Sequence, residues 1–383
     1  MIPARAASKS PPSERNTVVN DAAEILDYSF DAPPDPDQFV QAAMKWHFTP
    51  ETGSPFWLDR RTKLDFDPLA DIKSFDDLRL FPNVVDDLRT ARVSDLVPRG
   101  YGAHPDVVGV FESGGTTGAP KRIVFLRDWL NRALTISTRE FAGHGVFPGG
   151  NWLALMPGRP HMVGGFSDHE AVHMGGLKFS IDMDPRWVKK LIAADDPGGA
   201  AAYSEHLVEQ ATHVLESQDV SVLLLSPPML DRIAGRPDLV DLIKAKVEVI
   251  IWGGTHMDAE SRFFYRTELF PDKKIIGAYG STTFLGAAKE RPGLSADDMC
   301  VFDSSSLHLT FSVVDADTGR SVEPGARGRV LVNHISKAML LPNNLERDTA
   351  LRCAPLSGQP GDAVAAVEPT ASHDGEDVIE GVY

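Results

Sequence analysis

Between Val110 and Val124 the chain reads Val-Phe-Glu-Ser-Gly-Gly-Thr-Thr-Gly-Ala-Pro-Lys-Arg-Ile-Val. Small residues let a backbone approach a ligand closely, and Gly114, Gly115 and Gly118 tolerate positive φ at little steric cost. Successive N–H groups, with the hydroxyls of Ser113, Thr116 and Thr117, can cradle phosphate oxygens, and Lys121 adds a full positive charge. The chemistry is that of a phosphate loop. It is not a Walker A loop, which needs Gly-Lys-Ser/Thr in succession, because Ala119 and Pro120 follow Gly118.

Three further stretches pair small turns with polar side chains. Ile251-Trp252-Gly253-Gly254-Thr255 and Ala278-Tyr279-Gly280-Ser281-Thr282-Thr283 each end an apolar run, and Leu340 to Asp348 ends in Glu346-Arg347-Asp348. A competing chemistry is spelled by His169-Glu170-Ala171-Val172-His173, an H-E-x-x-H that Ser167 or Asp168 could cap. Gly176 matches the next glycine of the longer zinc pattern, but Phe179 stands where its third histidine belongs, and Gly175-Gly176 would cut the helix short. Zinc hydrolysis is therefore set aside, and these histidines line a pocket or are satisfied by hydrogen bonds.

The elements that must position these groups alternate. Short apolar runs at Asn151 to Met156, Val220 to Leu225, Val247 to Trp252 and Lys274 to Gly280 read as buried strands. Helices are expected from Arg127 to about Ala142, from Asp184-Pro185 through Ile192, from Ala201 to Glu216, around Asp238 to Lys246 and around Ala259 to Leu269. Strand and helix in turn, with glycine at strand ends, describe an α/β fold whose sites lie beyond the carboxyl ends of a parallel sheet. Residues 22–97 read as mostly helical with Pro breaks, Gly158 to Gly176 as a Gly-rich passage, and Pro227-Pro228 as a strand stop. From Leu307 the pattern turns to alternating β, with a last hairpin at Asp374-Gly375. The expected organisation is a flexible tail over 1–20, an α/β core over 21–300 and a smaller β subdomain over 301–383.

Composition narrows the classes. The chain has 383 residues, 42% of them hydrophobic, and a net charge of −16, so nucleic-acid binding through a broad basic face is not expected. Cys300 and Cys353 stand far apart, which suggests neither a disulfide scaffold nor a Cys-rich zinc site. No signal-like or membrane-spanning run is seen, so the expected location is the cytoplasm.

The loop from Ser113 to Lys121 resembles the Ser/Thr-Ser/Thr-Gly-Ser/Thr-Thr-Gly-x-Pro-Lys signature of the adenylate-forming superfamily, with Gly114 in place of a hydroxyl. Within it, Lys73 to Pro82 is similar to the stretch preceding this loop in phenylacetate-CoA ligase-like proteins, and the chain as a whole resembles the phenazine antibiotic biosynthesis proteins that activate griseoluteate. The resemblance implies that Ser113, Thr116, Thr117 and Lys121 hold the ATP β- and γ-phosphates. It also implies that Gly253, Gly254, Thr255 and Ala278 to Ser281 border the adenine with Tyr279 packed on it, that Thr282 reaches the α-phosphate, and that Asp348 (Glu346 close behind) holds the ribose. His161, Gly164, Gly165, Phe166 and Gly277 would line the acyl pocket. Thr283 stands where the family places a glutamate for Mg²⁺, and a hydroxyl is a weak ligand for that ion.

The implied activity is ATP-dependent activation of an aromatic carboxylic acid to an acyl-adenylate, handed to a partner such as a reductase or acyltransferase. Few residues follow Asp348, so the mobile C-terminal lid is expected to be absent and Lys121 to carry more of the charge. Two alternatives stay open: another ATP-dependent condensation (CoA thioester, amide or diazo formation), or a degenerate domain that only binds an aromatic ligand.

Overall fold

The structure, a computed structural model, describes residues 21–114, 119–356, 358–370, 372–373 and 376–377. The expected 1–20 tail and the Asp374-Gly375 turn lie outside them, although Ser372–His373 and Glu376–Asp377 pair antiparallel on either side of that turn.

A hairpin of β1 (Val107–Glu112) and β2 (Arg122–Leu126) brackets the glycine-rich segment from Ser113 to Lys121. Downstream, β3 (Trp152–Leu155), β4 (Lys178–Ser180), β5 (Val222–Leu225), β6 (Val249–Gly253), β7 (Lys274–Ser281) and β8 (Gly286–Lys289) form one sheet in the order β4-β3-β5-β6-β7-β8. All its neighbours run parallel except β8, which returns antiparallel beside β7. Its central strands are apolar throughout because both faces are covered. Leu153, Leu223, Ile250 and Ile275 point into one core, while Ala154, Leu224, Ile251 and Ile276 point into the other.

The helices are α1 (Pro36–Phe48), α2 (Arg127–Gly143), α3 (Met162–His173), α4 (Pro185–Ala193), α5 (Pro197–Ser217), α6 (Pro227–Ala234), α7 (Pro237–Lys246) and α8 (Ala259–Phe264). At α1, α4 and α5 an aspartate (Asp35, Asp184, Asp196) accepts from first-turn N–H groups, and a proline opens the helix. That order works because a first-turn N–H has no helical partner to lose. For the same reason Pro227-Pro228 both ends β5 and opens α6, a helix not foreseen from the sequence. The Gly-rich passage likewise contains the twelve-residue α3.

A second sheet is antiparallel, in the order β10-β11-β12-β13-β9, built from β9 (Val301–Phe302), β10 (Leu309–Val314), β11 (Arg327–Ile335), β12 (Leu340–Cys353) and β13 (Ala363–Pro369). Phe302, Phe311, Val332 and Val364 join the core that holds Trp252. Among the described residues before β1, α1 and short helices and 3₁₀ turns form, and they clasp the β11–β12 turn: Trp46 Nε1 donates to Lys337 O (2.8 Å) and Trp57 Nε1 to Leu340 O (2.9 Å). Among the described residues no helix is long and apolar enough to cross a membrane.

Candidate active site

In the parallel sheet the chain order reverses at β3, which has β4 on one side and β5 on the other. Open α/β sheets bind ligands beyond the carboxyl ends of their strands at such a point. A cleft of about 340 Å³ opens there, bordered by Met156, Leu224, Trp252 and Tyr279 from the strand ends and by Glu346 to Asp348 from β12.

Ser113, at the start of the glycine-rich loop, lies at its rim. Ser113 N–H donates to Lys121 O (3.0 Å), and Lys121 N–H donates to Ser113 Oγ (2.9 Å), closing the loop's base. Ser113 and Gly114 line the cleft, whereas Gly115, Thr116, Thr117 and Gly118 lie outside the described residues. The Arg89 guanidinium donates to Ala119 O and so braces the loop from below. Lys121 Nζ lies 3.7 Å from Asp86 Oδ1. Burial lowers its pKa; Glu346 and Asp86 oppose that, while Arg89 and Arg347 add to it.

Basic groups converge from a direction that spacing alone does not reveal. Arg186, in the first turn of α4, donates to Glu112 Oε2 (2.6 Å), and Arg122 Nε holds the other oxygen (2.9 Å). Burial would raise the Glu112 pKa, but these two guanidinium bonds outweigh it and the net shift is downward. Lys189, one turn further along α4, has a buried ammonium with no partner among the described residues. Burial, Arg347 and Arg186 push it down to about 8. The i, i+3 spacing places both on one helix face, but only the packing of α4 brings Arg186 against Glu112 and to 3.5 Å from Ser113 O.

On the far side, Tyr279 OH donates to Asp348 Oδ2 (2.8 Å). Its ring is held among Phe284, Phe302 and Phe311, with centroids 5.2 to 5.8 Å away. Burial, then the charge of Glu346, raises Asp348 to about 6. Glu346 Oε1 accepts from Asn344 Nδ2 (2.6 Å), Thr283 Oγ1 (2.8 Å) and Ser281 Oγ (3.3 Å). Thr283, 4% exposed, is thus committed to its neighbours, and the carboxylate nearest it is Glu346 from another sheet. Thr282 Oγ1 is 3.4 Å from Glu112 O and lines the cleft with Gly253, Gly254, Thr255, Ala278, Gly280 and Ser281. Gly254 has φ +82°, which a side chain would strain.

The other lobe lies between α3 and the sheet. His161, which caps α3, and Phe166 line it. Burial, aided by Arg186, lowers the His161 pKa, which favours the neutral ring. Three glycines expected to line this pocket do not. A Cβ on Gly165 would collide with the Phe111 ring, one on Gly164 would lie 2.5 Å from Pro157 O, and one on Gly277 2.8 Å from the Trp252 ring. They permit close packing behind the wall instead of contact with a ligand.

The H-E-x-x-H residues diverge. His173 is exposed and His169 faces Arg159 Nη2 (3.3 Å), while Glu170 turns inward to Ser137 and Lys289. Among the described residues no group of three or more His, Cys, Asp or Glu could hold a metal ion. Of these three residues, only Glu170 reaches the cleft.

No family model matches the sequence, and no curated protein matches it. Solved structures do. 2-Hydroxyisobutyryl-CoA ligase in its thioesterification state, in complex with 2-HIB-AMP and CoA, is similar at 14% identity with a TM-score of 0.60 over 89% of this chain and 73% of that one. An open conformation of the same ligase gives 13% identity and a TM-score of 0.59 over 94% and 85%. Its postadenylation state gives 14% and 0.58 over 87% and 70%. The chain therefore shares the fold of that ligase, at an identity at which the architecture is what is alike.

Proposed function

We propose that the protein activates a carboxylic acid, an aromatic one, by forming an acyl-adenylate from ATP. The observation that carries this reading is the Tyr279–Asp348 pair, set across the cleft from the phosphate loop. A half-buried aromatic ring beside a carboxylate suits a nucleoside, since the ring covers the base and the carboxylate accepts from two ribose hydroxyls. The acid's carboxylate oxygen attacks the α-phosphorus, the bond to the bridging oxygen breaks, and pyrophosphate leaves with the electron pair. No covalent bond to the protein is needed, so catalysis is alignment and charge neutralisation.

In this reading the loop from Ser113 to Lys121 binds the β- and γ-phosphates, Thr282 meets the α-phosphate, and Gly253 to Thr255 border the adenine. Neutral His161 and Phe166 hold the acid. Mg²⁺ on nucleotides is commonly bound through one or two carboxylates plus phosphates, and the donor set fits that pattern: Glu346, flanked by the hydroxyls of Thr283 and Ser281, would hold it. The ion supplies charge neutralisation on the phosphates. An acyl-adenylate is labile, so a cytoplasmic reductase or acyltransferase consuming it in secondary metabolism completes the proposal. Thioester formation with CoA is the second reading, favoured by the likeness to a CoA ligase.

Acid-dependent exchange of labelled pyrophosphate into ATP, run over a panel of aryl acids, tests the proposal. Exchange with at least one acid is expected. Absence of exchange with every acid, together with no binding of ATP, overturns it.

A further inference from the structure

The acyl lobe is not apolar to its end. Lys289 on β8 and Glu170 on α3 both line the cleft, and Lys289 Nζ lies 3.3 Å from Glu170 Oε1 with the two side chains 4% and 7% exposed. Strand alternation explains the placement. Ala288 points into the core that holds Trp252, so Lys289 faces the other side, where its cross-strand partner Ala278 packs with Ile251 and Leu224. Glu170 also accepts from Ser137 Oγ on α2, and Lys289 Nζ lies 4.8 Å from the centroid of the Phe141 ring.

Taking two ions out of water costs several kcal/mol for each unless hydrogen bonds satisfy them. An ammonium has three N–H donors, and among the described residues this one meets a single oxygen at 3.3 Å and a ring face. A second carboxylate, Glu140, sits nearby with Oε1 bonded to Ser305 Oγ (2.7 Å) and Oε2 buried without a partner. The surrounding walls are apolar, including Met162, Phe166, Leu224 and Ile251. Apolar side chains would serve packing alone at least as well. Few, placed polar groups in an apolar pocket are what orient a ligand.

We propose that Lys289 and Glu170 anchor a hydroxyl group on the acid, distal to the carboxylate that is activated. This rests on the reading that the cleft takes an acid. Three distal groups can be compared. A second carboxylate would face Glu170, and an ammonium would face Lys289. A hydroxyl accepts from Lys289 and donates to Glu170 without adding charge. Glu170 follows His161 by nine residues on α3, a rise of roughly 13 Å. That separation leaves room for a ring between carboxylate and hydroxyl. The substrate class is a hydroxylated aromatic acid.

The test compares 4-hydroxycinnamate with cinnamate, and 4-hydroxybenzoate with benzoate, in pyrophosphate exchange by the full chain. The wild-type protein should prefer the hydroxylated member of a pair by at least about tenfold in kcat/KM, and Lys289→Met or Glu170→Gln should bring that ratio towards one. A wild-type ratio near one overturns the anchor even if both variants fail to fold. Should no acid support exchange, the acyl-adenylate reading fails separately, and calorimetric binding of the same acids decides the anchor. Preference for the hydroxylated acid supports it; equal affinity, or none, overturns it.

Discussion

Tyr279 and Asp348, 69 residues apart and on different sheets, are joined by a 2.8 Å hydrogen bond from phenol to carboxylate. The bond ties the end of β7 to the middle of β12, and so fixes the spacing between the two walls of the cleft. It also keeps a buried carboxylate that burial and Glu346 have raised to about 6 within reach of ionisation.

ATP affinity should therefore fall as pH drops from 7 to 5, because a protonated Asp348 no longer accepts from two hydroxyls. The Tyr279 bond lowers the Asp348 pKa, so Tyr279→Phe should move the midpoint to higher pH. Calorimetric titration with ATP across that range checks both. For folding the sign is opposite: between 3.8 and about 6 the folded state holds a proton that the unfolded chain has released, so this group favours folding more as pH falls.

Lys121→Ala should weaken ATP binding by about ten- to a hundredfold, the worth of a charge-assisted hydrogen bond. The unliganded melting temperature should barely move, because the 3.7 Å contact with Asp86 involves a carboxylate that is 69% exposed. Equal losses of binding and stability would remove Lys121 from its assigned role.

Glu346→Gln keeps the shape of the side chain and removes its charge. If Glu346 supplies the carboxylate that Thr283 lacks, raising Mg²⁺ from zero to millimolar should strengthen ATP binding in the wild type and do so far less in the variant. An unchanged Mg²⁺ dependence in the calorimeter would exclude Glu346.

Three buried histidines set acid stability. His47 bonds to Ser336 O (2.8 Å), His334 to Phe284 O (2.9 Å), and His308 stacks on Tyr28. Burial lowers His47 to about 4 and His334 to about 3, and puts His308 well below its ordinary value. From pH 6.5 down to those values the unfolded chain takes up protons that the folded protein refuses, so stability falls with pH, by up to about 1.4 kcal/mol per unit for each group. Urea midpoints measured from pH 7 to 5 should decline, and His47→Gln should flatten the slope.

Much of this was legible in order along the chain. The buried runs at β3, β5, β6 and β7 and the Asp184-Pro185 start of α4 are local patterns, in which composition and period act within a dozen residues, whereas Asp35-Pro36, read as a break, opens α1. Gly164 and Gly165 misled for a local reason too: glycine signals close approach but not to what, and here it is Phe111 and Pro157, not a ligand. Nor did Gly158 to Gly176 read as a helix, because tertiary packing of α3 against α2, β1 and β4 overrides its poor propensity.

The sequence by itself determined the α/β alternation and singled out Tyr279 and Asp348 as candidates, since each depends on residue type and near neighbours. Only the tertiary structure decided that Glu346 stands against Thr283, that Arg186 meets Glu112 at the start of the loop, and that Lys289 meets Glu170 inside the cleft. Those contacts join residues 63 to 119 positions apart, or set the facing of a whole helix. Burial and charge there depend on how two sheets and α3 pack, which no local spacing encodes.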